Sequence, residues 1–416
     1  MESEVEDVVI VGAGISGLAT SLALHRLGVR SLVLESWSSL RVTGFALTIW
    51  TNAWKVLDAL GVGPILRQQH LQISGNVTTS LITGQQTSQT SFINAKGKHG
   101  VHEIRCVRRQ LMLEALANEL PSGIIRYSSK VVAIEESGFT KLVHLADGTV
   151  IKTKILIGCD GVNSVVAKWL GFKNAAFSGR SAIRGCATLT TGHDLEPKFM
   201  QFFGKGFRCP VIPCNDKTVY WAFTWSPSTQ EKEIEENPCE MKQYVLEKLE
   251  NMPSHLRAYI EQTDLDHFIS LPLRYRHPWE LVMGNISKGN VCVTGDAFHP
   301  MTPEIGQGGC CALEDGIVLA RCVAEAFSAK PGGDLDKKKK KDEEEKEEYE
   351  RIKASLKKFA DERRWRSISL IIVSYVVGFI QEGESKWVSF VRDKFLSAFL
   401  ARFLLKMSDF GCGNLS

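Results

Sequence analysis

VVIVGAGISGLATSLALHRLGVRSLVLE, residues 8–35, is the stretch that decides the fold. Its four β-branched residues predict a short buried strand, and the apolar run after the third glycine predicts a helix. The closing SLVL predicts a second strand that ends at Glu35. A strand, a glycine-rich turn, a helix and a second strand in this order predict an α/β fold built around a βαβ unit.

Three glycines of this stretch have the spacing of a dinucleotide-binding loop. Gly12 permits a sharp turn after the strand, Gly14 lets a pyrophosphate approach the backbone, and Gly17 lets the helix pack closely on the strand. The helix N-terminus presents free N–H groups and the positive end of a dipole to the phosphates. Glu35 follows Gly17 by 18 residues, close to the spacing of a carboxylate that accepts from ribose hydroxyls. The motif alone leaves FAD and NAD as alternatives.

Length and composition set the broad class. At 416 residues, with 44% hydrophobic and 23% charged residues, the chain is predicted to be a globular enzyme of two or three domains. A net charge of +3 argues against a general nucleic-acid binder. The 11 cysteines lack paired CxxC spacing and a His/Cys ligand cluster, so we predict no metal site and a reducing, cytoplasmic location.

Two segments bear on targeting and membranes. The acidic start MESEVED is not typical of a secretory signal or a transit peptide. The apolar run 368–380 has only 13 residues, too few to span a bilayer, and we predict a core helix there. No transmembrane segment is expected.

Two later segments place an acidic residue beside a glycine after a predicted strand. These are Asp160-Gly161 and Gly295-Asp296. Together with the glycine loop they resemble the three fingerprints of the single-component FAD-dependent aromatic hydroxylases. This p-hydroxybenzoate-hydroxylase-like family includes salicylate hydroxylase, urate hydroxylase and zeaxanthin epoxidase. The resemblance spans residues 8 to about 325, is most specific over 291–319, and is closest in texture to the plant monooxygenase branch near salicylate and urate hydroxylases.

The resemblance implies a Rossmann-like FAD-binding domain interleaved with a mixed or antiparallel β-sheet substrate domain, followed by C-terminal helices. The alternating run TVYWAFTW at 218–225 is typical of a half-buried strand in that second domain. We predict an FAD-binding domain from residues 1–75, 100–176 and 285–330, and a substrate-binding sheet domain from 76–99 and 177–284. Residues 331–416 are predicted to be a charged insertion plus C-terminal helices.

The resemblance also implies the residues that hold FAD. Asp296 is expected to accept from a ribityl hydroxyl, and Asp160 either contacts a ribose or forms a turn. Arg108 opens a predicted helix and is expected to face the FAD phosphates or ribityl chain, with Arg109 as the competing choice. The predicted cofactor-binding residues are Gly12, Gly14, Gly17, Glu35, Arg108, Asp160, Asp296, Gly306, Gln307, Gly308 and Gly309.

Two residues are candidates for the substrate side. Arg208 precedes Tyr220 by 12 residues, and this spacing resembles the arginine and tyrosine that face the substrate in the urate-hydroxylase branch. Arg208 is expected to orient an anionic or carbonyl-bearing ring and Tyr220 to hydrogen-bond it. The alternative is a strand-surface arginine and a sheet-core tyrosine. Arg184 is a further candidate for the pocket.

The activity that the resemblance implies is an FAD-dependent monooxygenase. NADH or NADPH reduces the flavin, O2 adds to give a C4a-hydroperoxide, and one oxygen atom hydroxylates or epoxidises a small aromatic, polycyclic or isoprenoid substrate. The alternatives are another flavoprotein oxidoreductase, such as an oxidase or dehydrogenase, an NAD-dependent Rossmann dehydrogenase, and a non-catalytic flavoprotein. The sequence leaves open the substrate, NADH against NADPH, and the oligomeric state.

Overall fold

The structure, a computed structural model, describes residues 5–41, 44–98, 100–228, 237–328, 337–382, 397–413 and 415. The helices are α1 Ile15–Arg26, α2 Thr51–Leu60, α3 Gly63–Gln68, α4 Arg109–Asn118, α5 Val165–Trp169, α6 Pro238–Lys248, α7 Ser254–Glu261, α8 Pro278–Met283, α9 Gly308–Ser328, α10 Lys337–Glu382 and α11 Ser397–Ser408. Single 3₁₀ turns lie at Leu265–His267, Gly295–Ala297 and Pro303–Ile305.

The strands divide between two large sheets and two small ribbons. They are β1 Glu6–Val11, β2 Leu32–Leu34, β3 Ala46–Ile49, β4 Gly75–Ser80, β5 Gln86–Ser91, β6 Lys96–Gly97, β7 Gly100–Val101, β8 Arg105–Arg108, β9 Ile125–Arg126, β10 Val131–Ser137, β11 Thr140–Leu145, β12 Val150–Gly158, β13 Ala176–Thr188, β14 Lys198–Phe203, β15 Phe207–Asn215, β16 Thr218–Trp225, β17 Phe268–Tyr275, β18 Ser287–Lys288 and β19 Val291–Val293.

The first sheet is centred on β1, which pairs in parallel with β12 on one side and β2 on the other. Its path runs β10-β11-β12-β1-β2-β9, and β19 also pairs in parallel with β12. The side chains of 8–11 are at most 5% exposed, which explains why this central strand is a continuous β-branched run. The predicted α/β fold with its opening βαβ unit is confirmed.

The carboxyl ends of three parallel strands meet at one edge of this sheet. β1 leads into the glycine loop, β12 leads into Asp160, and β19 leads into the turn that carries Asp296. Ligands of open parallel sheets bind outside the carboxyl ends of the strands. Three segments that lie far apart in the sequence therefore reach the same place.

Close packing of α1 on β1 depends on Gly17. A Cβ on Gly17 would lie 1.9 Å from the Gly12 backbone oxygen, and a Cβ on Gly12 would lie 2.6 Å from the Cys159 backbone oxygen. Gly12 also adopts φ +100°, which favours glycine. The first and third glycines of the loop are therefore required by the backbone itself, independently of any ligand.

The second sheet has the order β17-β13-β16-β15-β14-β4-β5 and is antiparallel except for the β14–β4 pair. The alternation in 218–225 separates its two faces. Trp221, Phe223 and Trp225 pack with residues of α6 and α7 in a second hydrophobic core. Tyr220, with Ala222 and Thr224, faces the opposite way, toward the first sheet.

The C-terminal helices close the space between the sheets. α10 is 46 residues long and packs on α9, and α11 follows it. In 368–380, Leu370 and Ile371 are buried, whereas Ile372 and Phe379 are 44% and 63% exposed. The predicted core helix therefore has only one face in the core. Among the described residues, no helix is both long and apolar enough to cross a membrane.

We expect Gly17→Ala to destabilise the protein by roughly 3 kcal/mol, because the added methyl must push α1 away from β1. Urea unfolding of the apoprotein would measure this loss. The matched control is Gly14→Ala, since a Cβ at Gly14 meets no atom within 4 Å and should change stability by less than about 0.5 kcal/mol. Equal losses for both variants would contradict the packing role of Gly17.

Candidate cofactor and substrate cavity

A cavity of about 330 Å³ lies between the two sheets. One end is formed by the glycine loop and by the turns at the carboxyl ends of β12 and β19. The other end is formed by one face of the second sheet, and the C-terminal helices complete the wall. The wall includes Gly14, Trp50, Arg109, Gly161, Arg184, Arg208, Tyr220, Asp296, Gly306, Gly308, Gly309, Gln381, Leu400 and Leu404.

The glycine loop leaves room for a ligand at one position. Gly14 lines the cavity, and a Cβ placed on it would meet no protein atom within 4 Å. Gly14 also precedes the first turn of α1, where backbone N–H groups lack helical acceptors. An open backbone surface beside free N–H donors fits a bound pyrophosphate.

Glu35 lies beside this loop at the end of β2. Its Oε2 accepts from the Ala13 backbone N–H at 2.8 Å, and its Oε1 accepts from the Trp37 N–H at 3.0 Å. Glu35 is 7% exposed, and through these two hydrogen bonds its buried carboxylate supports the glycine loop. Its expected contact with a ribose stays a prediction.

The two adjacent arginines point to different places. Arg109 lines the cavity, and its buried Nε has no hydrogen-bond partner in the described part of the chain. Burial lowers the pKa of Arg109, and the Asp296 carboxylate opposes that effect. Arg108 is not among the residues of the cavity wall. Its charge acts on the buried thiols of Cys186 and Cys214. The geometry therefore favours Arg109, the competing choice, over Arg108.

The Gly295–Ala297 turn presents Asp296 to the cavity, where its side chain is exposed. Gly306, with φ +62°, redirects the chain into α9, whose first residues Gly308 and Gly309 also line the cavity. Gln307 was expected to help bind FAD, and that role stays a prediction. Its side chain is fully buried, accepts from Asn52 Nδ2 at 3.0 Å, and is not part of the cavity wall.

Asp160 forms a turn. Its Oδ2 accepts from the Val165 N–H at 2.6 Å, and its Oδ1 accepts from the Ser164 hydroxyl at 2.5 Å. Burial raises the pKa of Asp160, and these hydrogen bonds oppose the rise. Of the two roles expected for Asp160, the geometry favours the turn-former, while its neighbour Gly161 lines the cavity.

A buried ion network holds the Asp296 turn in place. Asp315 Oδ2 accepts from the Gly295 N–H at 3.0 Å and lies 2.6 Å from His299 Nε2. Arg363 of α10 donates from Nε to Asp315 Oδ1 at 2.7 Å and from a terminal nitrogen to Glu314 at 2.6 Å. All four charged side chains are fully buried, so each depends on its partners for stability.

The network shifts the pKa values of its members. Burial alone would raise the pKa of Asp315, but the charges of His299 and Arg363 outweigh it and the pKa is lowered. Burial alone would lower the pKa of His299, but Cys311 and Asp315 outweigh it, and the pKa lies well above its ordinary value. The directions of both shifts favour a protonated His299 opposite an ionised Asp315.

His299, Cys311 and Asp315 also bring possible metal-ligand atoms within 4.8 Å of one another, although the sequence suggested no such cluster. Arg363 donates both to Asp315 and to Cys311 Sγ, the latter at 3.2 Å. A guanidinium therefore already supplies the positive charge that these groups face. We interpret the cluster as part of the ion network.

Arg208 and Tyr220 both face the cavity from adjacent antiparallel strands. Arg208 lies opposite Thr224, which is four residues beyond Tyr220 on the same face of β16. Arg208 is 4% exposed and donates to Gln381 Oε1 of α10 at 2.7 Å. Burial raises the pKa of Tyr220 to about 12, so its hydroxyl stays protonated at neutral pH.

Several wall residues that α10, α11 and the second sheet contribute were not predicted from the sequence. Gln381 and Leu404 complete the wall from the C-terminal helices, and Asn76 and Gln201 line it from β4 and β14. The amphipathic spacing of the final helix was a usable signal for an apolar face, but it did not indicate what that face covers.

Comparison with known proteins identifies relatives along the whole chain. Residues 5–343 match the FAD binding domain family. Monooxygenase 2 of Arabidopsis thaliana is 52% identical over 98% of this chain and 98% of its own length. An FAD-dependent urate hydroxylase of Mycolicibacterium vanbaalenii is 27% identical over 75% of this chain and 78% of its own length.

Solved structures share the fold. The crystal structure of Klebsiella pneumoniae HpxO complexed with FAD and uric acid has a TM-score of 0.80 at 20% identity. It covers 97% of this chain and 96% of its own. The predicted fold class, a Rossmann-like α/β part with a second, largely antiparallel sheet, is confirmed, and the substrate-binding role of that sheet stays a prediction.

We expect Arg109→Met to raise the Kd for FAD at least about tenfold, because a forked cation facing the cavity is lost. Arg108→Met is the matched neighbour and should raise it less than about threefold. Fluorescence titration of the apoproteins with FAD measures both values. The reverse order would assign the cofactor contact to Arg108.

We expect the stabilising contribution of His299 to decrease as the pH rises above 6.5. The folded protein keeps a proton on His299 that the unfolded chain releases. The difference in unfolding free energy between the wild type and His299→Gln therefore shrinks with a limiting slope of about 1.4 kcal/mol per pH unit. Urea unfolding at pH 5.5, 7.0 and 8.5 measures the difference. Exposed His255→Gln is the control, and a difference that grows with pH would rule out a buried cation.

Proposed function

This chain belongs to the FAD binding domain family of FAD-dependent monooxygenases, and from that premise we propose that it oxygenates a small aromatic or isoprenoid substrate with NADH or NADPH and O2. The observation that carries the proposal is the single cavity described above. Its one end has the features of a dinucleotide site, and its other end is a polar and aromatic sheet face. A cofactor ring and a substrate can therefore contact each other inside this cavity, away from bulk solvent.

The cofactor end offers a distinct group for each part of FAD. Gly14 and the N-terminus of α1 suit the pyrophosphate, and Arg109 suits a phosphate or the ribityl chain. Asp296 suits a ribityl hydroxyl, and the backbone N–H groups at Gly308 and Gly309 suit the edge of the flavin ring. When bound, FAD supplies electron transfer from NAD(P)H and activation of O2, which side chains alone do not provide.

The substrate end supplies binding, orientation and exclusion of water. Arg208 and Arg184 present positive charge to an anionic or carbonyl-bearing ring. The protonated hydroxyl of Tyr220 can donate a hydrogen bond to an oxygen of the same ring. Leu400 and Leu404 of α11 cover the cavity with apolar surface. A dry cavity strengthens each of these polar contacts.

We expect purified protein to carry flavin absorbance and to oxidise NADH or NADPH faster when a substrate is present. A screen of aromatic acids, phenols and polycyclic alkenes, with oxygen uptake recorded in parallel, is the measurement.

Tyr220→Phe should lower substrate-stimulated turnover about tenfold, because one positioned hydrogen bond is lost. Tyr259→Phe, outside the cavity wall, is the control.

Two outcomes would contradict the proposal. Hydrogen peroxide as the sole product with every substrate would indicate an oxidase. Failure of NAD(P)H to bleach the flavin with any substrate would indicate a flavoprotein of another kind.

A further inference from the structure

Among the residues that the structure describes, Thr224 Oγ1 and Gln201 Oε1 are buried polar atoms in the substrate end of the cavity without a hydrogen-bond partner, and of the two only the amide oxygen is purely an acceptor. Gln201 lines the cavity from β14 and is 9% exposed. Its side-chain oxygen, Oε1, is buried and accepts no hydrogen bond from any residue that the structure describes. Buried polar groups in folded proteins are nearly always paired, so an unpaired acceptor in a cavity wall indicates a ligand contact.

A short chain of hydrogen bonds holds the side chain of Gln201 in the wall. Gln201 Nε2 donates to Asn76 Oδ1 at 3.0 Å, and Asn76 Nδ2 donates to Thr78 Oγ1 at 3.2 Å. Asn76 and Thr78 are 6% and 3% exposed. The nitrogen of Gln201 donates one of its two hydrogens to Asn76, whereas the oxygen has no donor among the described residues, so the oxygen is the acceptor left for a ligand.

The neighbours of Gln201 define the size of that ligand. Gln201 lies opposite Pro210 on β15, so Arg208 is its diagonal neighbour, about 7–8 Å away between Cα atoms. Phe199 and Phe203 flank Gln201 on the same face of β14, and both line the cavity. A planar ring that contacts Arg208 through an acceptor can therefore reach Gln201 with a donor on another edge.

We propose that Gln201 is a specificity-determining residue whose Oε1 accepts a hydrogen bond from an O–H or N–H group of the substrate. This inference rests on the proposed function, since it takes the sheet end of the cavity as the substrate site. It narrows the substrate class to ring compounds that carry a donor about one ring width from an acidic or carbonyl group. A ring in which the donor is methylated leaves Gln201 Oε1 unpaired and binds more weakly.

The test uses the FAD-loaded protein and pairs of probes that differ by one methyl group. The pairs are 4-hydroxybenzoate with 4-methoxybenzoate, 3-hydroxybenzoate with 3-methoxybenzoate, and indole-2-carboxylate with its N-methyl derivative. Binding is measured by the change in flavin absorbance and by thermal shift, without NAD(P)H. In at least one pair, we expect the donor-bearing compound to bind tenfold more tightly than its methylated partner.

Gln201→Leu should reduce that ratio below threefold and leave the affinity for the methylated partner within threefold of wild type. Leu has a similar volume, so a preference caused only by the bulk of the methyl group would persist. Asn76→Ala, which removes the bond that orients the amide, should reduce the ratio in the same way and serves if Gln201→Leu does not fold. Exposed Gln89→Leu is the matched control and should leave the ratio unchanged.

The inference is overturned if Gln201→Leu and Asn76→Ala both keep the wild-type ratio. It is equally overturned if no donor-bearing probe binds wild type more tightly than its methylated partner. Because binding is measured without turnover, a protein that selects donors through Gln201 but does not oxidise NAD(P)H refutes the proposed activity alone.

Discussion

The carboxylate of Asp315 is the group on which the cofactor end of the cavity depends. It accepts from the backbone of the turn that presents Asp296, from His299 and from Arg363. These donors come from the β19 turn and from α10, and the acceptor belongs to α9. In a dry interior such charges have no water to replace a missing partner, so removing one exposes the others to the full cost of desolvation. The turn is therefore held by an arrangement that is stable only when complete.

Helix α10 connects the two ends of the cavity. Near its middle, Arg363 neutralises the buried acids of α9, and near its end Gln381 accepts from Arg208 of the second sheet. Between them, Ser374 lies 2.9 Å from the hydroxyl of Thr302, in the segment that leads to Gly306. One helix thus contacts α9, the segment before α9 and the second sheet. The residues that α10 contributes to these contacts lie beyond residue 343, where the family match ends.

Local patterns predicted the parts of the site that local backbone geometry fixes. The glycine loop requires its first and third glycines because neighbouring backbone atoms leave no room for a side chain, so the spacing carries the information. The Gly295-Asp296 turn comes just after a short strand, so its position could also be predicted from the local sequence. The choice between Arg108 and Arg109 was different. Arg108 is the last residue of β8 and Arg109 is the first residue of α4, so the choice depends on how the chain turns from the strand into the helix.

Contacts between distant segments were beyond sequence reasoning. Asn76 and Gln201 meet only because β4 pairs in parallel with β14, and no local signal sets that register. Gln307 lies within a specific motif, yet its side chain packs behind the loop against Asn52 because of how the chain enters α9. Arg363 lies in a long charged helix, and no sequence pattern distinguishes this buried arginine from the exposed charged residues around it.

The placement of the cavity wall on α10 and α11 has a consequence for how such enzymes diversify. The glycine loop is built from the first part of the chain, whereas Gln381, Leu400 and Leu404 come from the last 40 residues. Changes in that tail can reshape this part of the cavity wall while the glycine loop keeps its geometry. Chimeras that exchange only the tail between relatives leave Arg363 opposite Asp315 and are thus a direct route to a differently shaped cavity.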